Sequence, residues 1–306
     1  MTSLLTNVSA MVALQTLSMI SKDLNETNNR VSTGLRIREA QDSAAYWAIA
    51  TTTDSDNGAL KAVRDAISLG RSVLDVAYNG LESVRESLDK MKQLAVSARQ
   101  PGVVRANIQA EIAGLQADMA NKAGAAVINE QNFLSVDTGA AGFNATKSIV
   151  ASFERQGGAV AVSTIDIDIT NVILYDANAT PTGINDQART VGGTTVAIED
   201  IDIGALTDSA ADLTTLDETI SIIDEALIEV ITAQNEVGVG LSRAESQLTF
   251  VGALIDANDR AIGTLVDADM EEESTRLRAL QTQQQLAVQS LNIANSTAQS
   301  ILTLFQ

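Results

Sequence analysis

Neither cysteine nor histidine occurs anywhere in the 306 residues. That excludes thiol and imidazole nucleophiles and bases, disulfides and the usual zinc sites together. It also leaves the chain indifferent to the redox state of its compartment. Aromatic residues are scarce, with one Trp, three Tyr and five Phe making 3% of the chain. Ligand pockets are usually lined with apolar and aromatic side chains, so an enzyme is disfavoured and no cofactor or metal site is expected. Lys and Arg number 20 against 39 Asp and Glu, for a formal charge of −19. Such a balance speaks against nucleic-acid and anionic-membrane partners, which need a Lys/Arg surplus, and suits an acidic, soluble shell. No stretch approaches the roughly 18 apolar residues of a membrane span. No basic residue precedes Lys22, so no cleavable signal peptide is expected. Only Pro101 and Pro181 are prolines, so long helices are permitted.

What is abundant is spacing. Ala, Leu, Ile and Val carry most of the 45% hydrophobic content, and they recur at alternating steps of three and four. One tract runs Ala13, Leu17, Ile20, Leu24 and Val31, with Thr27 as a polar gap. A second runs from Leu60 to Ala98 and stops at Pro101-Gly102; a third spans Ile108 to Met119. A fourth holds one phase from Leu213 to Leu265, interrupted at Gln234 and Asn258. The phase breaks over Asp267–Glu273 and resumes from Leu277 to Phe305. Sustained spacing of this kind marks helices packed along a seam. Between about 140 and 203 it vanishes. There Ile165, Ile167 and Ile169 alternate with Asp166, Asp168 and Thr170, as in a half-buried strand. Gly192-Gly193 separates Val191 from Thr194–Ile198, a hairpin pattern. The chain is therefore expected to be mainly α with a small β-rich insert. Both chain ends form discontinuous helical coiled-coil or bundle domains, with a β domain in the middle. Such a core closes only if the N- and C-terminal helices pack together. The terminal tracts, short of partners inside one subunit, would bury their seams against further copies.

Two motif sets give the pattern a family. Asn29-Arg30-Val31-Ser32-Thr33-Gly34-Leu35-Arg36-Ile37, followed by Ala40-Gln41-Asp42-Ser43-Ala44-Ala45, resembles the N-terminal signature of bacterial flagellins, through Arg30, Ser32, Gly34, Arg36, Ile37 and Asp42. Leu265–Ser274, Gln283–Ala287, Ala294-Asn295 and Leu302–Phe305 resemble the flagellin C-terminus. With Gln93–Val96, the likeness covers residues 1–135 and 206–306, and it points to the α-proteobacterial type.

The resemblance implies a structural subunit that polymerises with itself, alone or with paralogous flagellins, into an extracellular flagellar filament for swimming. It further implies type III export without a cleaved signal peptide, and dealings with the flagellar export apparatus, an export chaperone, a filament cap and hook-junction proteins. It divides the chain into an inner-tube domain (1–40 and 267–306), a helical rod domain (41–139 and 204–266) and a β-rich outer domain (140–203). Filament packing is assigned to Leu17, Ile20, Leu24, Leu277, Leu280, Leu291, Ile301 and Phe305. Lys90, Gln93 and Leu94 are the equivalents of an epitope read by a vertebrate innate receptor. Lys90 and Gln93 stand where strongly sensed flagellins have Arg and Glu, and the plant-receptor epitope, on residues 29–50, is also altered. Both departures argue against recognition. Tyr46-Trp47 stands where many flagellins have Gly and an aliphatic, and Ser43 replaces an Asp.

Several features read more simply than they first invite. Trp47 is expected to be a packing anchor within a core or interface, not a ligand-stacking ring. Asp267–Glu273 is expected to be a solvated acidic turn favouring the start of the last helix. Asp166/Asp168 and Asp200/Asp202 are expected on strand faces turned to water. Gly238-Val239-Gly240 lies inside a helical tract and is no nucleotide loop. The rival functions are a hook–filament junction protein, a secreted coiled-coil adhesin, and an enzyme housed in the insert.

Overall fold

A computed structural model describes residues 7–156 and 159–304, with residues 156 and 298–304 described by backbone alone. Three helices lead: α1 (Val8–Thr33), α2 (Ala44–Ser97) and α3 (Arg105–Ala125). Eight strands follow among the described residues: β1 (Val127–Ile128), β2 (Gln131–Asn132), β3 (Ser135–Val136), β4 (Thr146–Gln156), β5 (Ala159–Asp168), β6 (Tyr175–Asp176), β7 (Arg189–Val191) and β8 (Thr194–Val196). A 3-10 turn at Ile198–Asp200 precedes α4 (Ala210–Val266) and α5 (Met270–Leu304). The order is helix, strand, helix, as the spacing predicts, and the phase break at Asp267 falls between α4 and α5. The chain divides into two compact units, one made of both ends up to Asn57 and from Asp256, the other of Gly58–Ile255.

In the second unit α2 and α4 run antiparallel. Glu82–Gln234, Lys92–Asp224 and Arg99–Asp217 are paired in turn, so each step along α2 is matched by an equal step back along α4. The polar gap at Gln234 thus acts as a register pin: its amide is buried and donates to the Glu82 carboxylate. Around this pair a single core gathers Ile67, Leu74, Leu81, Leu88 and Met91 of α2, Ile112 and Met119 of α3, Leu216, Ile223, Val230 and Val237 of α4, and strand residues. The strands form four separate two-stranded pairs rather than one sheet. The longest is the antiparallel β4–β5 hairpin, bulged between Val150 and Ser152. Ile165 and Ile167 of β5 face the core while Asp166 and Asp168 face water, as the alternation predicts. Ile149 of β4 seats against α2 at Gly70, where a β-carbon would come within 2.5 Å of its Cγ2.

The β7–β8 hairpin turns on Gly192-Gly193 as expected, with Val191 opposite Thr194. Gly192 takes φ +60, which costs any residue with a β-carbon. The expected continuation to Ile198 fails. β8 ends at Val196, the 3-10 turn sends Ile198 into the core, and Asp200 and Asp202 are exposed on turn and loop rather than strand.

The first unit is simpler. α1 and α5 lie side by side and antiparallel. Asn7 Nδ2 donates to the Ala294 carbonyl at 3.0 Å near one end, and Arg30 Nη1 donates to Glu273 Oε1 at 3.1 Å near the other. Its buried hydrophobic cluster is small, centred on Ile37, Ala50 and Val266.

Candidate assembly site

The α1–α5 pair is where the two chain ends meet. Leu17, Ile20 and Leu24 of α1 and Leu277 and Leu291 of α5 are half-buried, Leu280 is buried, and all follow the three-four spacing. The structure therefore brings these packing candidates to the covered side of the helix pair. The Ile301 side chain and all of Phe305 lie outside the described residues. The polar gap Thr27 is itself buried. A second apolar set stands in the open: Val8, Met11, Val12, Leu14 and Met19 on α1, and Leu286, Val288 and Ile293 on α5, 44–65% exposed. Covering each would yield on the order of 1 kcal/mol. Sequence spacing missed them because they fall outside the heptad line, yet their excess over one helix face was the available signal.

The signature residues build a joint between the α1–α2 loop and the α4–α5 turn. Gly34 closes α1 in the left-handed conformation, φ +73, with its N–H donating to the Arg30 carbonyl at 2.8 Å. Open space surrounds its α-carbon, so backbone conformation rather than crowding calls for glycine. Leu35 then bridges Asp267 in antiparallel fashion. The Arg36 N–H donates to the Val266 carbonyl at 2.6 Å, its guanidinium to the Leu265 carbonyl at 2.9 Å, and the Ala268 N–H returns to the Gly34 carbonyl at 2.8 Å. Ile37 packs into the cluster with Ala50 and Val266. Asp42 Oδ2 accepts the Arg38 and Glu39 N–H groups at 2.9 and 3.1 Å, which hold its carboxyl below the usual range. Ser32 is exposed and its hydroxyl makes no hydrogen bond among the described residues.

Arg30 ties the joint to α5. Burial pulls its pKa down, but Glu273 and Glu26 more than offset this. Glu273 corrects the expectation of a wholly solvated acidic turn. Asp269 does cap α5, accepting the Glu271 and Glu272 N–H groups at 3.0 and 3.2 Å, but Glu273 is buried against Arg30. Nothing in the sequence marked that pairing, since its partners are 243 positions apart. Trp47 is 39% exposed beside exposed Tyr46, which rules out the core half of its expected role.

On the second unit Lys90 and Gln93 are exposed and Leu94 half-buried. They border a groove of about 590 Å³ between α2 and α3, closed on the far side by Glu111, Leu115 and Asp118. Asp176 organises the loops at the β3–β6 pair. Burial works against its ionisation, yet donors from Thr138, Asn178 and Thr182 bring its pKa down to about 2. Among the described residues no cluster of acids could hold a metal ion, and no helix is long and apolar enough to cross a membrane.

The comparisons with known proteins agree at both ends. A family model of the bacterial flagellin N-terminal helical region matches residues 4–138, and one of the C-terminal helical region matches residues 220–305. The chain is similar to flagellin C of Rhizobium meliloti strain 1021, 42% identical over 331 residues. It is also similar to the flagellin of Brucella melitensis biotype 1, 40% identical over 314 residues, and to flagellin A of Rhizobium meliloti, 36% identical over 398. Each likeness covers both chains in full.

Proposed function

The chain belongs to the bacterial flagellin family, and from that premise we propose how its parts serve a filament. As a flagellin it is a structural subunit of the flagellar filament and not an enzyme. The terminal segments 1–40 and 267–306 serve as the inner-tube domain, 41–139 with 204–266 as the helical rod domain, and 140–203 as the β-rich outer domain. The observation that carries this reading is the α1–α5 pair: both chain ends meet in one helical hairpin that leaves eight large aliphatic side chains in the open. A surface of that kind on a polymerising subunit is one that neighbouring copies cover. Packing passes through the helix pair as a unit, with Leu17, Ile20, Leu24, Leu277, Leu280 and Leu291 holding the pair together, and Ile301 and Phe305 continuing the same spacing in the sequence.

The subunit is exported through the flagellar type III apparatus, attended by an export chaperone, and added beneath a filament cap beyond the hook-junction proteins. Lys90 and Gln93, exposed where strongly sensed relatives carry Arg and Glu, weaken recognition by the vertebrate receptor. Electron microscopy of a strain expressing this chain as its sole flagellin tests the reading. Long filaments with swimming are expected. Short stubs at the hook end would instead indicate a junction protein.

A further inference from the structure

A cleft of about 680 Å³ opens between the β4–β5 hairpin and α4, wholly within the second unit. Ser152 and Ser163 line it from the hairpin, and Arg243, Ser246 and Phe250 from the helix. Phe250 is 57% exposed, an apolar ring left at the mouth of a polar groove.

The unusual member is Arg243. The second unit holds eight arginines. Arg64, Arg71, Arg85, Arg99, Arg105 and Arg189 each pair with a carboxylate of the same unit. Arg155 lies over the Phe153 ring and has a further partner. The Arg243 side chain alone makes neither hydrogen bond nor ion pair among the described residues. Asp166 feels its charge, with Oδ1 accepting from the Ser148 and Thr164 hydroxyls at 2.7 and 3.0 Å, but no hydrogen bond or ion pair joins it to Arg243. Glu154 lines the same cleft without bonding to Arg243. The Ser163 and Ser246 hydroxyls likewise make no hydrogen bond among the described residues.

A free guanidinium beside an exposed ring and unused hydroxyls is the composition of an interface anchor, with a fork suited to a carboxylate. In a chain with 39 acids and 20 bases, any second copy arrives with carboxylates to spare. Resting on the reading of the chain as a self-assembling subunit, we infer that this cleft seats a carboxylate-bearing segment of a second copy. Arg243 takes the carboxylate, Phe250 covers its apolar flank, and the free hydroxyls donate to its backbone.

The test uses filaments of the full chain carrying Arg243→Lys, assembled from equal parts of unlabelled and 15N-labelled subunits. A carbodiimide joins only an amine and a carboxylate in direct contact. Cross-linked peptides joining position 243 to an acidic peptide of the opposite label are expected by mass spectrometry. Links confined to one label, such as those to Glu154 or Asp166, would overturn the inference, as would no link at position 243. Independently, Arg243→Glu should raise the critical concentration for polymerisation about tenfold or more, with unchanged helical circular dichroism and melting. An unchanged critical concentration would overturn it too. Phe250→Ala, which alters no charge, should raise it severalfold and covers the case in which charge reversal disturbs the fold. If the unaltered chain formed no filaments, the subunit reading itself would fall, and this inference with it.

Discussion

In the second unit, Ile67, Leu74, Leu81, Leu88 and Met91 of α2 are completely enclosed, whereas in the first unit Leu17, Ile20 and Leu24 of α1 stay half-exposed even on their covered side. The two helices carry the same spacing of aliphatic residues. What differs is the number of neighbours: the core around α2 draws on α3, α4 and several strands, while among the described residues α1 packs chiefly on α5. Two helices side by side cannot close a core, so part of each apolar surface remains uncovered until something else arrives. The same pattern therefore produces a self-sufficient body in one place and an open apolar surface in the other.

The contrast breaks most sharply under Leu291→Asp. A charge on the covered side of α5 should part the helix pair and raise the critical concentration roughly a thousandfold or more, about 4 kcal/mol. The second unit should keep its cooperative thermal transition by circular dichroism; loss of that transition would show that the two regions are not independent. Leu81→Ala is the mirror experiment. A fully enclosed leucine truncated in the bundle should cost the monomer about 2–5 kcal/mol in chemical denaturation, while Leu17→Ala, half-buried, should cost under about half as much.

Gly34→Ala sharpens the comparison on a smaller scale. Forcing a β-carbon into the left-handed conformation costs roughly 1 kcal/mol. The loss should appear as faster hydrogen exchange near the Leu35–Asp267 bridge, with exchange in the second unit unchanged.

The smallest effect is in pH. Arg85 and Gln234 hold Glu82 at about 2, below its ordinary 4.5. A depressed carboxyl stabilises the fold above its unfolded pKa, and that contribution is lost as pH falls from 4.5 towards 2. Asp176 acts in the same direction, and Asp186, raised by burial, in the opposite one. Glu82→Gln should flatten the fall in denaturant midpoint over this window, and an unaltered slope would remove Glu82 from the account.

The helices were legible in the sequence because their signal is long. The tract from Leu60 to Ala98 and its stop at Pro101-Gly102 match the end of α2, which begins earlier, at Ala44, and the break at Asp267 matches the α4–α5 turn. The short strands β1 and β2 were not legible. Their turn is Asn129-Glu130, both at positive φ, and a glutamate there gives none of the glycine signal that exposed Gly192-Gly193. At the assembly site, the motifs named Arg30, Gly34 and Arg36 without saying what they touch. Arg36 reaches Leu265 across 229 positions, a relation that no local spacing encodes. The outer aliphatics from Val8 to Met19 were legible only as surplus, since burial on one helix face is assigned by the partner that covers it.

The Leu35–Asp267 bridge also sets an order of events. Its two sides come from opposite ends of the chain, and the contacts beside it span 229 and 243 positions. Contacts of such separation form late, after local helices, because the whole intervening loop must first be closed. The joint therefore serves as a completeness check: a chain lacking its last segment can fold its middle but cannot close its ends. Only a chain carrying both terminal helices can present the pair, because each helix is supplied by a different end of the sequence.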